Sequence, residues 1–476
     1  MRSSFLQVLA ALLAAAPAMQ ALGQSSLGGQ GYVDLSVKGA APKHLGAGIL
    51  YGVPNDAAYT PDKAPVLPSD LFNGAGINVV RAGGAQIKAY PGFVSSLEGY
   101  KGRFNSTLQN YRYARAHGAQ FVLLPHDLWG ADSFNAAAKV YPCDNGNCDL
   151  YGKFLDQLIS DLKSNDMLFG MHIDIWNEPD IQGFWPRSQD QWIQQYNYAY
   201  RKYRAALGPQ VLLQGPTTSS QPNSGNVWWQ KFGANIKANP DVQPDIYSFH
   251  QLQGRKAANC GNDPVVSVQG LEDVKKAHGL PDRPVQINEY AGSDEQTPAY
   301  SAWFLERFER SGAWGQRANW GMWHGLHNDM AKLVGGADQG AFYKLGDWHV
   351  YHYYTQVQRG VVARAGATGS NCYDLYATQE PDSGLIHILA GTRGQTGAYP
   401  VVVSSLGSVA AFKGKTSLRV LVNEIPYNGG GRVDGPVTVS HADVAVVDDK
   451  LTVNLDMKLD SAYTIDISVP PAAAAR

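Results

Sequence analysis

Residues 171–179 read Met-His-Ile-Asp-Ile-Trp-Asn-Glu-Pro. The run Met171–Trp176 is almost continuously apolar, as a strand buried on both faces should be. It ends in two polar residues, Asn177 and Glu178, and Pro179 then prevents further ladder pairing. In a parallel barrel, a carboxylate at the carboxyl end of a strand stands at the mouth, where catalytic groups sit. A second carboxylate ends a similar run at Val285-Gln286-Ile287-Asn288-Glu289-Tyr290.

Around these two stretches the pattern repeats. Strand-like runs occupy His44–Tyr51, Ile77–Gly83, Gln120–His126, Met171–Trp176, Gln210–Gly215, Ile246–His250, Pro284–Glu289 and Ala318–Trp323. Amphipathic stretches such as Leu150–Leu162, Gln191–Leu207, Val227–Ala238, Leu271–His278 and Tyr300–Ser311 lie between them, and Asp347–Gln358 follows the last. Eight strands, each trailed by a helix, predict an α/β fold, a (β/α)8 TIM barrel over residues 44–359 in which Glu178 ends the fourth strand and Glu289 the seventh. An open doubly wound sheet would need a glycine-rich phosphate loop and a helix after its first strand, whereas Gly46-Ala47-Gly48 leads into Ile49-Leu50-Tyr51.

Past Gly360 the texture changes to short strands and glycine-rich turns. Val361–Arg364, Leu385–Gly391, Tyr399–Val403, Ser417–Val422, Pro436–Val439 and Ser461–Val469 predict a C-terminal β-sandwich domain over residues 360–476. Gly31–Val37 alternates at period two, so the segment 24–43 is expected to join that sandwich. Pro470–Arg476 reads as a frayed tail.

Arg2, the apolar run Phe5–Pro17 and the small residues Ala18, Ala21 and Gly23 have the layout of a signal peptide over residues 1–23. The run is shorter than the ~20 apolar residues a spanning helix needs, so a soluble, secreted, extracellular protein is expected rather than a membrane protein. Four cysteines suit that route, with Cys143 and Cys148 closing a small loop and Cys260 and Cys372 forming a second disulfide. Asn105-Ser106-Thr107 is a glycosylation sequon. The formal net charge of −2 over 476 residues offers no basic field for nucleic acid. The 11 Trp and 25 Tyr suit sugar faces as well as a core.

Paired carboxylates flanking one bond are what glycoside cleavage requires. Glu178 must cycle between protonated and ionised forms, whereas the partner must stay ionised to attack. Asn177 is placed to hydrogen-bond the sugar hydroxyl next to the reaction centre. Arg81, at the end of the second strand, is placed to keep Glu289 charged.

The string Ile175–Asp180 with Phe184-Trp185, and the string Ile287–Tyr290, resemble the acid/base and nucleophile motifs of clan A glycoside hydrolases. Within the clan the chain is most similar to glycoside hydrolase family 39, the β-xylosidase and α-L-iduronidase family, over most of its mature length. The resemblance implies Glu178 as acid/base, Glu289 as nucleophile and Asn177 as the residue preceding the acid/base. It also implies a retaining O-glycosyl hydrolase acting on an oligo- or polysaccharide without a cofactor. The expected substrates are those of an exo-acting β-xylosidase-like or arabinose- or galactose-releasing enzyme. An endo-acting polysaccharide hydrolase is the alternative, and an inactive carbohydrate-binding barrel a further one.

Other predicted strand ends supply substrate-binding candidates: His126 after the third strand, His250 after the sixth and Trp323 after the eighth, with Tyr51 and Trp185 on mouth loops. His324–His327 and His349–His352 have spacings that could suit a metal, but no carboxylate partner stands at helical offset, so no metal is expected. The helix Trp192–Tyr203 is expected to pack on the barrel.

Overall fold

The computed structural model describes residues 29–54, 66–132, 139–255, 260–337 and 340–471. The expected leader, 1–23, and most of the expected tail lie outside the described residues. After β1 (Gly31–Lys38), eight parallel strands close a barrel: β2 (Gly48–Leu50), β3 (Val79–Ala82), β4 (Gln120–Leu123), β5 (Met171–Asp174), β6 (Leu212–Thr218), β7 (Ile246–Gln251), β8 (Val285–Tyr290) and β9 (Trp314–Arg317). Closure is through β2 and β9, with Gly48 beside Gln316 and Ile49 beside Arg317.

Helices follow the strands in turn: α1 (Ser69–Gly74), α2 (Leu97–Ala116), the short α3 (Pro125–Trp129) with α4 (Asp149–Ser164), α5 (Gln189–Leu207), α6 (Val227–Ala238), α7 (Pro264–His278), α8 (Pro298–Ser311) and α9 (Gly346–His352). Their starts are written locally. Ser96, Ser188, Asn226 and Asp263 each accept a hydrogen bond from a backbone N–H of the first turn, the usual way to satisfy an orphan donor. On α4 the buried set Phe154, Leu155, Leu158, Ile159 and Leu162 falls at helical spacing and turns one face to the barrel. Trp192 is likewise buried on α5, as expected. Asn105 lies within α2, where the hydroxyl of Thr107 is buried and donates to the Arg103 carbonyl.

The eighth barrel strand is Trp314–Arg317, upstream of the expected Ala318–Trp323. Its residues include Gly315, which lets Phe308 of α8 pack where a Cβ would sit, and the polar Gln316 and Arg317, both fully buried. Buried polar groups hide the apolar signature here, with Arg317 on the outer face bonded to Ser301 of α8 and Asp347 of α9.

A hairpin of β10 (Val334–Gly335) and β11 (Tyr343–Lys344) precedes α9. The rest is one nine-stranded sheet: β12 (Val361–Ala367), β13 (Tyr373–Gln379), β14 (Ile386–Thr392), β15 (Gly397–Ser404), β16 (Ser417–Ile425), β17 (Val437–Ala445), β18 (Lys450–Met457) and β19 (Ala462–Ser468), with β1 between β12 and β15. Residues from both halves of this order, such as Val33, Val401 and Leu455 on one side and Ile388, Val420 and Ile465 on the other, share one core, the packing of a β-sandwich. Two of these strands exceed the six expected. β13 is buried along its whole length because α8 covers its other face, and its Asp374 is ion-paired to Arg307 and Arg310. β18 alternates exposed and buried residues throughout.

Barrel and sheet meet along α8. A Cβ on Gly391 of β14 would lie 2.3 Å from the Trp303 backbone nitrogen, so only glycine permits this approach. The two expected disulfides are formed: Cys143–Cys148 ahead of α4, and Cys260–Cys372, which ties the segment after β7 to the turn before β13. No described helix is long and apolar enough to cross a membrane.

Candidate active site

The carboxyl ends of the barrel strands open into a cavity of about 760 Å³ whose lining includes Tyr51, His126, Asn177, Glu178 and Glu289. Its construction begins below the floor. Asp174, the last residue of β5, is fully buried and accepts from Arg81 Nε at 3.0 Å and Nη2 at 2.7 Å, from Asn288 Nδ2 at 2.9 Å, and from the Thr217 hydroxyl. A buried carboxylate is tolerable only when paired and hydrogen-bonded in this way. Arg81 is thereby fixed, and its remaining donors reach upward. Nη1 donates to Glu289 Oε1 at 2.6 Å and Nη2 to Asn177 Oδ1 at 2.6 Å. One guanidinium thus orients both expected partners of the reaction centre.

Glu178 stands four residues beyond β5. Its backbone N–H donates to the Thr217 carbonyl at 2.9 Å, and its φ of +41° is in the left-handed region, an unfavourable conformation for a side chain-bearing residue. The carboxyl Oε1 meets His250 Nδ1 at 2.8 Å. Burial raises Glu178, Asp180 adds to the rise, and Arg81 and His126 only partly oppose it, so the group is pushed up to about 7. Glu289 stays more open, with 14 % of its side chain exposed and a salt bridge to Arg81.

His250 is fully buried beneath the pair. Its Nε2 lies 3.7 Å from Glu289 Oε1, and burial pushes the ring down to about 4. Among the described residues, Glu178, His250 and Glu289 are the one group with the ligand types and proximity to suit a metal, one donor atom each lying within 4.8 Å of the others. The buried guanidinium on Glu289 opposes a cation there, and Glu178 Oε1 is committed to His250. The trio is therefore read as a set that handles protons. His349 and His352 meet the backbone carbonyls of Val433 and Gly74.

On the opposite wall, His126 Nε2 contacts Asp127 Oδ1 at 2.9 Å, and Asp127 also accepts from the Tyr51 hydroxyl. Burial raises Asp127, but His126 and Tyr51 beside it outweigh that and hold its carboxyl below the usual range. The Tyr51 oxygen accepts in turn from the Gly83 and Ala85 N–H groups, so Tyr51 braces the wall rather than offering a free hydroxyl. Gly83 is required there, since a Cβ would press on Leu124 and Asp127.

Four expected residues do not line the cavity: Arg81 and His250 are fully buried against the two glutamates, and two lie elsewhere. Trp185 is buried against Trp176 and does not line the cavity; its neighbour Phe184 does. Trp323 sits in the 3₁₀ turn Trp323–His327 with Lys88 over its ring, also outside the lining. Trp320 takes the wall position, 45 % exposed, with its Nε1 donating to the Ala291 carbonyl. Asp174 and Asn288 were not singled out by sequence, although an acidic residue inside an apolar strand is itself a signal that something buried must pair with it.

No family model and no curated protein sequence matches the chain. Solved structures do. The chain is similar to N2152 from Neocallimastix frontalis, with TM-score 0.70, 19 % identity, and 93 % of this chain and 100 % of that one covered. A GH39 enzyme from Xanthomonas axonopodis pv. citri gives TM-score 0.60 at 12 % identity, covering 95 % and 100 %. A monomeric beta-xylosidase from Caulobacter crescentus CB15 gives 0.58 at 14 %, covering 92 % and 99 %. At such identities the likeness is one of fold, and it is the fold of clan A glycoside hydrolases that the sequence leads one to expect.

Proposed function

We propose that this chain is an exported retaining O-glycosyl hydrolase that works by double displacement without a cofactor. The observation carrying the proposal is the pair Glu178 and Glu289, with carboxylate oxygens within 4.8 Å of each other across the cavity. Retaining enzymes hold their carboxyl groups about 5–5.5 Å apart, too close for a water between acid and sugar. Glu289, charge-paired to Arg81, attacks the anomeric carbon while Glu178, still protonated, gives its proton to the leaving oxygen. Water then enters from the vacated face with Glu178 as base.

Asn177, fixed by Arg81, and His126, fixed by Asp127, supply polar contacts to the glycone. The open face of Trp320 supplies an apolar one. The names of the structural neighbours include a xylosidase, an arabinofuranosidase and an endoxylanase, which supports action on saccharides; an exo-acting β-xylosidase-like or arabinose- or galactose-releasing activity is the first choice and endo action on a polysaccharide the alternative. A panel of aryl glycosides tests the activity, because a binding module releases no phenol from any of them. Proton NMR of the first sugar released, before mutarotation, tests the stereochemistry: the opposite anomer appearing first would overturn the role of Glu289.

A further inference from the structure

One imidazole faces both carboxylates. His250 Nδ1 is 2.8 Å from Glu178 Oε1, while Nε2, buried and without a hydrogen-bond partner, faces Glu289 Oε1 at 3.7 Å. With the ring pushed down to about 4 by burial, it is neutral near neutrality and carries a single N–H. That proton has two possible places. On Nε2 it points at Glu289 and leaves Nδ1 as an acceptor, which fits only a protonated Glu178. On Nδ1 it donates to an ionised Glu178 but turns the Nε2 lone pair towards Glu289.

We infer that His250 couples the two glutamates through its tautomer: charged Glu289 keeps the ring proton on Nε2 and so keeps Glu178 protonated, and loss of that charge moves the ring proton to Nδ1, where it stabilises ionised Glu178. Other charges face the ring and do not undo this. Arg81 from β3 and Asp174 from β5 are locked to each other in both states, and Asp180, after β5, is held by the backbone and side chains of Ser219 and Ser220. Glu178 is further faced by Asp180, Arg81 and His126.

The proton balance closes. In the first step Glu289 forms a bond to the anomeric carbon, the bond to the leaving oxygen breaks, and Glu178 gives that oxygen its proton. Glu289 is now an uncharged ester. Incoming water reprotonates Glu178, which passes that proton to Nδ1, and the briefly cationic ring releases its Nε2 proton past Glu289 Oε1 to the hydroxide that remains, so the ring ends neutral and Glu178 ends as the base the second step needs. Hydrolysis of the ester restores the charge on Glu289 and the first tautomer. The catalytic meaning rests on the double-displacement reading, but the tautomer itself does not.

The test is nitrogen NMR of the full chain labelled with ¹⁵N-histidine, at pH 6, the His250 signals being those that vanish in His250→Gln. The wild type and Glu289→Asp, which keeps the charge, should show the Nε2–H form. Glu289→Gln should show the Nδ1–H form, a change in tautomer ratio of about tenfold or more given one charge at this range. The same tautomer in wild type and Glu289→Gln overturns the inference. Enzyme trapped with a 2-deoxy-2-fluoro glycoside should also carry the Nδ1–H form, and an unchanged tautomer there overturns it too. A chain that turns over no glycoside refutes the proposed function instead, and leaves the comparison of Glu289 variants intact.

Discussion

Glu178 at the barrel mouth and Glu306 on α8, in the seam between barrel and sheet, share one physical condition. Burial raises both carboxyl groups, and in both a nearby aspartate, Asp180 or Asp374, adds to the rise. Their surroundings differ. Glu178 opens into the cavity, with His250 on one oxygen and Glu289 across from it. Neither oxygen of Glu306 has a hydrogen-bond partner, and the neighbouring Arg307 and Arg310 are committed to Asp263 and Asp374. A perturbed carboxyl therefore does not by itself mark a catalyst. What sets Glu178 apart is access to the cavity, a second carboxylate and a histidine on its oxygen.

Removing the second carboxylate should do most damage to the mouth. Glu289→Ala should lose activity by about 10⁵-fold on every substrate, the scale on which a covalent nucleophile matters; residual turnover near wild type, measured on aryl glycosides, would break the comparison. Glu178→Ala should lose roughly 10²–10⁴-fold on substrates with poor leaving groups and much less on activated ones, with azide restoring turnover as it captures the glycosyl group. Glu306→Gln should leave kcat/KM near wild type and change stability instead. Because the folded state raises this carboxyl, wild-type stability falls as pH climbs above the unfolded carboxylate range. The glutamine variant lacks that loss, so its advantage should grow by up to about 1.4 kcal/mol per pH unit, read from denaturant midpoints at pH 5 and pH 8.

The smallest effect sharpens the mouth alone. In the proposed mechanism Glu178 acts as acid only when protonated, so kcat/KM should fall as pH rises through about 7. Asp180→Asn removes a charge that raises Glu178, and should move this alkaline limb down by less than about one pH unit, while glutamine at 306 should not move it.

Much of this was legible in the sequence because strands buried on both faces have few ways to be written. Met171–Trp176 and Pro284–Glu289 read as strands from their apolar runs, and the polar residues closing each run located Glu178 and Glu289. Arg81 was legible for the same reason. What escaped is what depends on the barrel interior. Gln316 and Arg317 are polar and buried on opposite faces of the strand, so the eighth strand did not read as apolar, and the error carried the wall tryptophan from 320 to 323. Asp174 is silent until the strands close and bring Arg81, Thr217 and Asn288 around it. That His250 touches both glutamates could not be read from spacing, since 72 residues separate it from Glu178.

The position of β1 bears on how the chain reaches this state. Gly31–Lys38 is flanked by β12 and β15, which begin at Val361 and Gly397, so on the ribosome β1 emerges long before either neighbour exists. Chains emerge at about 5–20 residues per second, which leaves this strand waiting for tens of seconds with Val33 and Leu35 uncovered. The barrel can close meanwhile from segments adjacent in sequence, but the sheet is completed last and through contacts of high sequence separation, the slow class. Until then the unpaired edge of β1 is open to a strand of another chain. Refolding yield should therefore depend on protein concentration, and a chain cut after the barrel would keep that edge exposed permanently.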